Sequence, residues 1–351
     1  MKTILVTGGA GFIGSHTCLL LLEKGYDVLV IDSFVNSNAL SLKNVLKILK
    51  NNNHNVENKL HVIEADIRNE SIIDGVFQYG LKNNKRIEGV IHFSGLKSVF
   101  ESSLNPLRYW EFNVMGTINL LKCMQKYNCY TLVFSSSATV YANKKDSCLL
   151  KEEDTLSPVN PYGNTKLSVE ILLRDLYKSN KEKYKISNLR YFNPIGAHSS
   201  GLIGEDPKGI PNNIFPLLTK VAIGKIKKLK IFGKDWPTKD GTGIRDYIHV
   251  MDLAEGHIKM LEFLLENNSQ IINLNLGTGL GTSVLELIDT FKKANNVDIP
   301  YEFVSRREGD LSEIVADNKY AKSLLNWLPK RNLKEMCKDG FNWQKNNPNG
   351  F

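Results

Sequence analysis

Tyr162 and Lys166 stand four residues apart, directly behind Pro161. At that spacing, at the start of a helix, both side chains lie on one face, one turn apart. A free phenol titrates near pH 10 and is a poor base at neutral pH. A lysine ammonium nearby, with any positively charged cofactor ring beside it, favours the phenolate and lowers that value. Upstream, the run Phe134-Ser135-Ser136-Ser137 closes a strand. Ser137 can hydrogen-bond the same substrate oxygen that Tyr162 deprotonates. The three residues suit removal of a proton from a substrate hydroxyl. A capping tyrosine followed by a surface lysine is the structural alternative, so the pair gains weight only beside a redox cofactor.

The N-terminal residues provide the setting for one. The apolar run Thr3-Ile4-Leu5-Val6-Thr7 feeds Gly8-Gly9-Ala10-Gly11-Phe12-Ile13-Gly14, and Asp32 closes the next apolar run. Strand, glycine turn, helix, strand and acid is the layout of a dinucleotide site. Gly8 permits the tight turn, Gly11 lets backbone N–H groups approach a pyrophosphate, and Gly14 lets the helix pack close to the sheet. The phosphates then meet the positive end of the helix. Asp32 can accept from a ribose 2′-hydroxyl and would repel a 2′-phosphate, which selects NAD over NADP. A second cluster, Gly277-Thr278-Gly279-Leu280-Gly281, reads as an ordinary turn ending at a Ser283 helix cap, with no cofactor.

Strands at 2–7, 27–31, 60–64, 89–93, 131–135 and 185–191 alternate with helices near 12–24, 69–79, 113–127 and 161–178. That alternation predicts a Rossmann-type α/β fold with a doubly wound parallel sheet. After residue 192, prolines interrupt shorter elements and helices return near 251–266, 283–294 and 318–326. This predicts a smaller C-terminal α/β lobe built on the first, with some later segments packing back. The asparagine-rich stretch 51–55 reads as a surface loop.

Composition narrows the function classes. Hydrophobic content of 42% and charged content of 23% are ordinary for a soluble globular chain. No apolar run reaches the length of a membrane span, and no signal peptide is visible. Five cysteines (18, 123, 129, 148, 337) without a C-x-x-C pair imply a reduced, cytoplasmic protein lacking disulfides and structural zinc. The seven histidines show no metal-ligand spacing, so no metal is expected. A net charge of +8 suggests an anionic partner. The basic run Gly224–Lys230 carries no interleaved aromatics, which argues for a solvated loop and against nucleic acid.

Longer stretches carry a resemblance to a known family. They are Thr7–Cys18, Val90–Lys97, Phe134–Tyr141, Leu189–His198, Gly204–Asn213, Asp240–Leu253 and Arg306–Asp310. The chain resembles the extended short-chain dehydrogenase/reductases and, within them, the UDP-glucose/UDP-galactose 4-epimerase family, nearly end to end. The resemblance implies an NAD-binding domain over 1–191 and a UDP-sugar lobe over 192–351. It implies a captive NAD, a UDP-hexose substrate and a homodimer pairing helices near 100–128 and 161–178. Tyr162, Lys166 and Ser137 would be catalytic. Phe12 and Ile13 would lie by the pyrophosphate, Asp32, Ser33, Asn36 and Ser37 around the adenosine ribose, and Asp66 and Ile67 near the adenine. Phe93, Lys97, Asn113 and Phe192 would lie nearer the nicotinamide half. Asn193, Asn213, Phe232, Arg245, Tyr247, Arg307 and Asp310 match the nucleotide-sugar contacts. Arginine forks suit diphosphate oxygens. Plain core for Phe232 and a helix cap for Asp310 are their alternatives. Ile314 matches the position whose size influences whether N-acetylated sugars fit, and isoleucine leaves that question open.

Two rivals stand beside this reading. A 4,6-dehydratase on the same scaffold would carry an Asp-Glu pair after a threonine near the serine strand. Here Thr139 is followed by Val140-Tyr141, with no acid. A non-catalytic NAD-sensing or RNA-binding protein would leave Tyr162 and Lys166 dispensable.

Overall fold

The computed structural model describes residues 2–142, 149–209, 211, 213–307 and 310–351. Cys148 and four residues of the quoted motifs (Ile210, Asn212, Glu308, Gly309) lie outside the described residues.

Six apolar runs of the first half become strands β1 (Thr3–Thr7), β2 (Asp27–Asp32), β3 (Leu60–Glu64), β4 (Ile87–His92), β5 (Thr131–Ser135) and β6 (Lys185–Tyr191). The second half adds β7 (Asn193–Ile195), β8 (Leu229–Phe232), β9 (Ile244–His249), β10 (Gln270–Leu276), β11 (Gly281–Ser283), β12 (Tyr301–Val304) and β13 (Glu313–Ile314). The central sheet runs β10-β6-β5-β4-β1-β2-β3, parallel throughout. The order reverses at β1, so the carboxyl ends of β1 and β4 open a crevice where a dinucleotide fits. β1 and β5 are buried along their whole length, as a sheet covered on both faces requires. The Rossmann-type α/β architecture follows from these facts.

Helices Phe12–Glu23, Glu70–Lys82, Gly116–Lys126, Pro161–Ser179, Val250–Glu266, Val284–Asn295 and Lys319–Leu325 fall near the predicted segments. The helix expected at 113–127 begins instead with a π-helical turn, Trp110–Met115. Helices Leu40–Asn51, Ile214–Ala222 and Leu333–Asn346 were not predicted, although Asn332 and Glu335 form a capping box that marks the last. Leu229 and Lys230, within the expected basic loop, begin β8. β10, in the later half of the chain, returns to the central sheet and pairs with β6 from Gln270↔Lys185 to Leu276↔Tyr191. Smaller sheets, with β9 flanked by β7, β11 and β13 and with β8 beside β12, frame the other side of the crevice.

The second glycine cluster is held from within. The buried carboxylate of Asp246 accepts from the backbone N–H groups of Thr278 and Gly279 at 2.8 and 2.9 Å and from the Thr278 hydroxyl at 2.6 Å. Those donors, which could have cradled a phosphate, already serve the chain's own anion. Ser283 caps the following helix with a capping box.

Buried histidines tie the core together. His92 bridges Thr7 Oγ1 at 2.6 Å and Thr117 Oγ1 at 2.9 Å, and His257 reaches Leu253 O and Ser135 Oγ. Burial lowers His16 and His92 to about 3 and His257 to about 4. Unfolded histidine titrates near 6.5, so below that pH the unfolded chain binds protons the native chain refuses. Stability therefore falls as pH drops from about 6.5 toward 4, each group costing about 1.4 kcal/mol per pH unit once its unfolded form is protonated. Urea midpoints measured between pH 7 and pH 4.5 should show this slope, and His92→Gln should reduce it by about one proton.

Candidate active site

The first helix begins at Phe12 with Gly11 as N-cap, no side-chain cap and no acid in its first turn. Its leading N–H groups therefore lack a local acceptor and face the crevice as an anion site. Gly8, at φ +70°, makes the turn, and a Cβ there would press on the backbone of Ser94. Asp32 accepts from Ala10 N at 2.9 Å through one oxygen, and from Phe34 N and Ser37 Oγ through the other. One carboxylate thus sets both the glycine turn and the loop after β2. The uncapped helix end, glycine turn and acid fit a dinucleotide.

The helix Pro161–Ser179 starts on Asn160, whose side chain accepts from Gly163 N at 2.8 Å, with Pro161 at the first position. Tyr162 is buried against Leu96 and Tyr109. It lines the cleft together with Ser137, whose oxygen receives the Thr139 hydroxyl at 3.0 Å. Lys166 Nζ lies 5.9 Å from the Tyr162 ring centre and donates to Ser135 O at 2.8 Å.

The electrostatics depart from the expectation for this pair. Burial raises the Tyr162 phenol well above its ordinary range, with Tyr191 adding to the rise and Ser137 working against it. Burial also lowers Lys166 to about 8, opposed by Glu170. Desolvation exceeds whatever the ammonium contributes, so the lysine alone does not make the phenol a base.

One continuous cleft collects most of the predicted residues. Gly8, Gly11, Phe12, Ile13, Gly14, Asp32, Ser33, Asn36, Ser37, Asp66, Ile67, Phe93 and Lys97 line one arm. Ser137, Tyr162, Lys166, Phe192 and Asn193 stand at the middle, and Asn213, Phe232, Arg245, Tyr247, Arg307 and Asp310 line the far arm. Phe232 is half-buried at the end of β8, with the Arg307 guanidinium 3.9 Å from its ring centre. Asp310 caps no helix; it pairs with Arg245.

Asn113 and Ile314 stand outside that lining. Asn113, buried in the π-helical turn, binds Leu96 N at 2.7 Å, Leu96 O at 3.1 Å and Thr165 Oγ1 at 3.0 Å. It props the segment after β4 instead of facing the cleft. Ile314, paired in register with Arg245, packs into the apolar cluster that contains Phe192. Glu205 was not singled out by sequence reasoning, yet it lines the cleft and pairs with Lys97 at 2.8 Å. Only its place inside a quoted motif hinted at it. Among the described residues, no group of His, Cys, Asp and Glu could hold a metal, and no helix is long and apolar enough to cross a membrane.

Known proteins resemble this chain over nearly its whole length. The profile of the GDP-mannose 4,6 dehydratase family matches residues 5–340. A UDP-glucose 4-epimerase of Bacillus subtilis is 49% identical over 99% of this chain and 98% of its own. The crystal structure of a UDP-glucose 4-epimerase from Bifidobacterium longum, in complex with NAD+ and UDP, has a TM-score of 0.92 at 43% identity and covers 100% of both chains. A Stenotrophomonas maltophila UDP-glucose-4-epimerase with bound NAD and formylated UDP-arabinopyranose gives the same TM-score and identity, covering 99% of this chain and 98% of that one. Matched over nearly its whole length at 43–49% identity by these proteins, the chain with this glycine-turned helix and buried tyrosine belongs to the NAD-dependent UDP-glucose 4-epimerase family.

Proposed function

We propose that the cleft oxidises the 4-hydroxyl of a UDP-hexose, lets the 4-keto sugar turn over, and reduces it on the opposite face. The convergence of Tyr162, Ser137 and Lys166 between the glycine turn and Arg245 supports this reading most directly. NAD bound along 8–14 and 32–37 supplies a hydride acceptor and donor, and its positive ring the charge that favours the phenolate. Tyr162 takes the hydroxyl proton and later returns it. Ser137, polarised by Thr139, holds the same oxygen. Lys166 keeps a positive charge beside the phenol. Arg245 and Arg307 grip the diphosphate as forks, so the nucleotide stays clamped while the hexose swings. The exposed apolar side chains Phe100, Leu104, Leu107 and Met115 support the homodimer expected through this helical segment.

Incubation with UDP-glucose and product analysis tests the reading. UDP-galactose is expected; a 4-keto-6-deoxy sugar would overturn it. Arg245→Ala should raise KM by about tenfold or more with kcat changed little, because a diphosphate contact is the same in ground and transition states.

Acceptance of N-acetylated sugars falls to the packing behind Phe192. Ile314→Gly would let that ring retreat, and relative use of UDP-N-acetylgalactosamine should rise several-fold in direct competition with UDP-galactose. An unchanged ratio would remove Ile314 from the specificity determinants.

A further inference from the structure

One face of the helix Pro161–Ser179 engages three consecutive serines. Tyr162, Lys166 and Glu170 recur at four-residue spacing and so line a single stripe. Tyr162 lines the cleft beside Ser137, Lys166 donates to Ser135 O at 2.8 Å, and the Ser136 hydroxyl donates to Glu170 Oε1 at 2.5 Å. Ser136 and Glu170 are buried and stand outside the cleft lining.

Glu170 is itself gripped from behind. Arg190 donates through Nε to Oε1 at 3.0 Å and through Nη2 to Oε2 at 2.6 Å. Its third nitrogen serves the Tyr141 hydroxyl at 3.2 Å and Glu152 O at 2.9 Å. A buried ion pair of this kind is a weak device for stability, because desolvation consumes most of the Coulombic gain. It does fix an acceptor at one point in space. Ser137 has an extended backbone, φ −155° and ψ 148°, so neighbouring side chains project to opposite sides. Anchoring Ser136 on the inner side therefore orients Ser137 outward, toward the phenol.

We propose that Glu170, held by Arg190, is a positioning residue that sets the Ser137 hydroxyl against Tyr162 by fixing Ser136. The inference rests on the reading of Tyr162 and Ser137 as the acid–base site.

Ser136→Ala tests it, since this variant leaves the ion pair whole. On protein purified with its NAD, kcat should fall about tenfold, the scale of losing one hydrogen bond to a charged group. KM for UDP-glucose should stay within about twofold and NAD content should be unchanged, with the melting temperature lowered by no more than a few degrees, which separates positioning from loss of fold. Glu170→Gln, where it folds, should lower kcat at least as much, and its effect should largely vanish in the Ser136→Ala background. Wild-type kcat in Ser136→Ala overturns the proposal whatever Glu170→Gln does. So does an undiminished Glu170→Gln effect in the Ser136→Ala background. Ser137→Ala is the control arm: if it retains full kcat, the acid–base reading fails first.

Discussion

Replacing Tyr162 by phenylalanine is expected to lower kcat about a thousandfold or more, or about 4 kcal/mol of barrier. The substitution deletes one oxygen and keeps the ring that packs between Leu96 and Tyr109, so fold and cofactor content should persist. What disappears is the one oxygen proposed to carry the sugar proton. Ser137 is a weak substitute, because its neutral hydroxyl accepts a hydrogen bond from Thr139 and is itself a poor base. Coupled assay of UDP-galactose conversion, normalised to NAD released on denaturation, measures the effect. A kcat within tenfold of the parent enzyme would refute Tyr162 as the acid–base group.

Gly14→Val is expected to yield a folded protein that purifies with less than about a tenth of the parent's NAD. A Cβ on Gly14 would overlap the carbonyl oxygen of Gly8 and crowd Gly9 Cα, both of them backbone. Neither can rotate aside as a flexible side chain would. The turn must open, and the N–H groups that meet the pyrophosphate then lose their aim. Release of NAD(H) by denaturation, quantified against protein, checks the outcome. Parent-level NAD in this variant would show that the first glycine turn does not hold the cofactor, and NADP in place of NAD would contradict the role given to Asp32.

Much of the site was legible because its parts lie within single elements. The glycine turn, the acid at the end of β2 and the Tyr162–Lys166 pair each obey a local spacing, and the structure brings them into one cleft. The direction of the Tyr162 shift was not legible. Spacing puts an ammonium near the phenol, but burial of both groups is a property of the packed core, and there desolvation outweighs the neighbour's charge. Asn113 and Ile314 show the same boundary. Resemblance attached them to the ligand site, whereas the π-helical turn and the pairing of β13 with β9 place them behind it.

Sequence alone determined the alternation of strand and helix, the glycine turn after β1 and the spacing that sets Lys166 one helical turn from Tyr162, because each depends on contacts only a few residues long. Tertiary structure decided what stands behind those residues. It carried β10 back beside β6, filled the second glycine turn with Asp246, and lodged the Arg190–Glu170 pair under Ser136. Those choices join residues far apart in the chain, and sheet order and burial, which no local spacing encodes, bring them together.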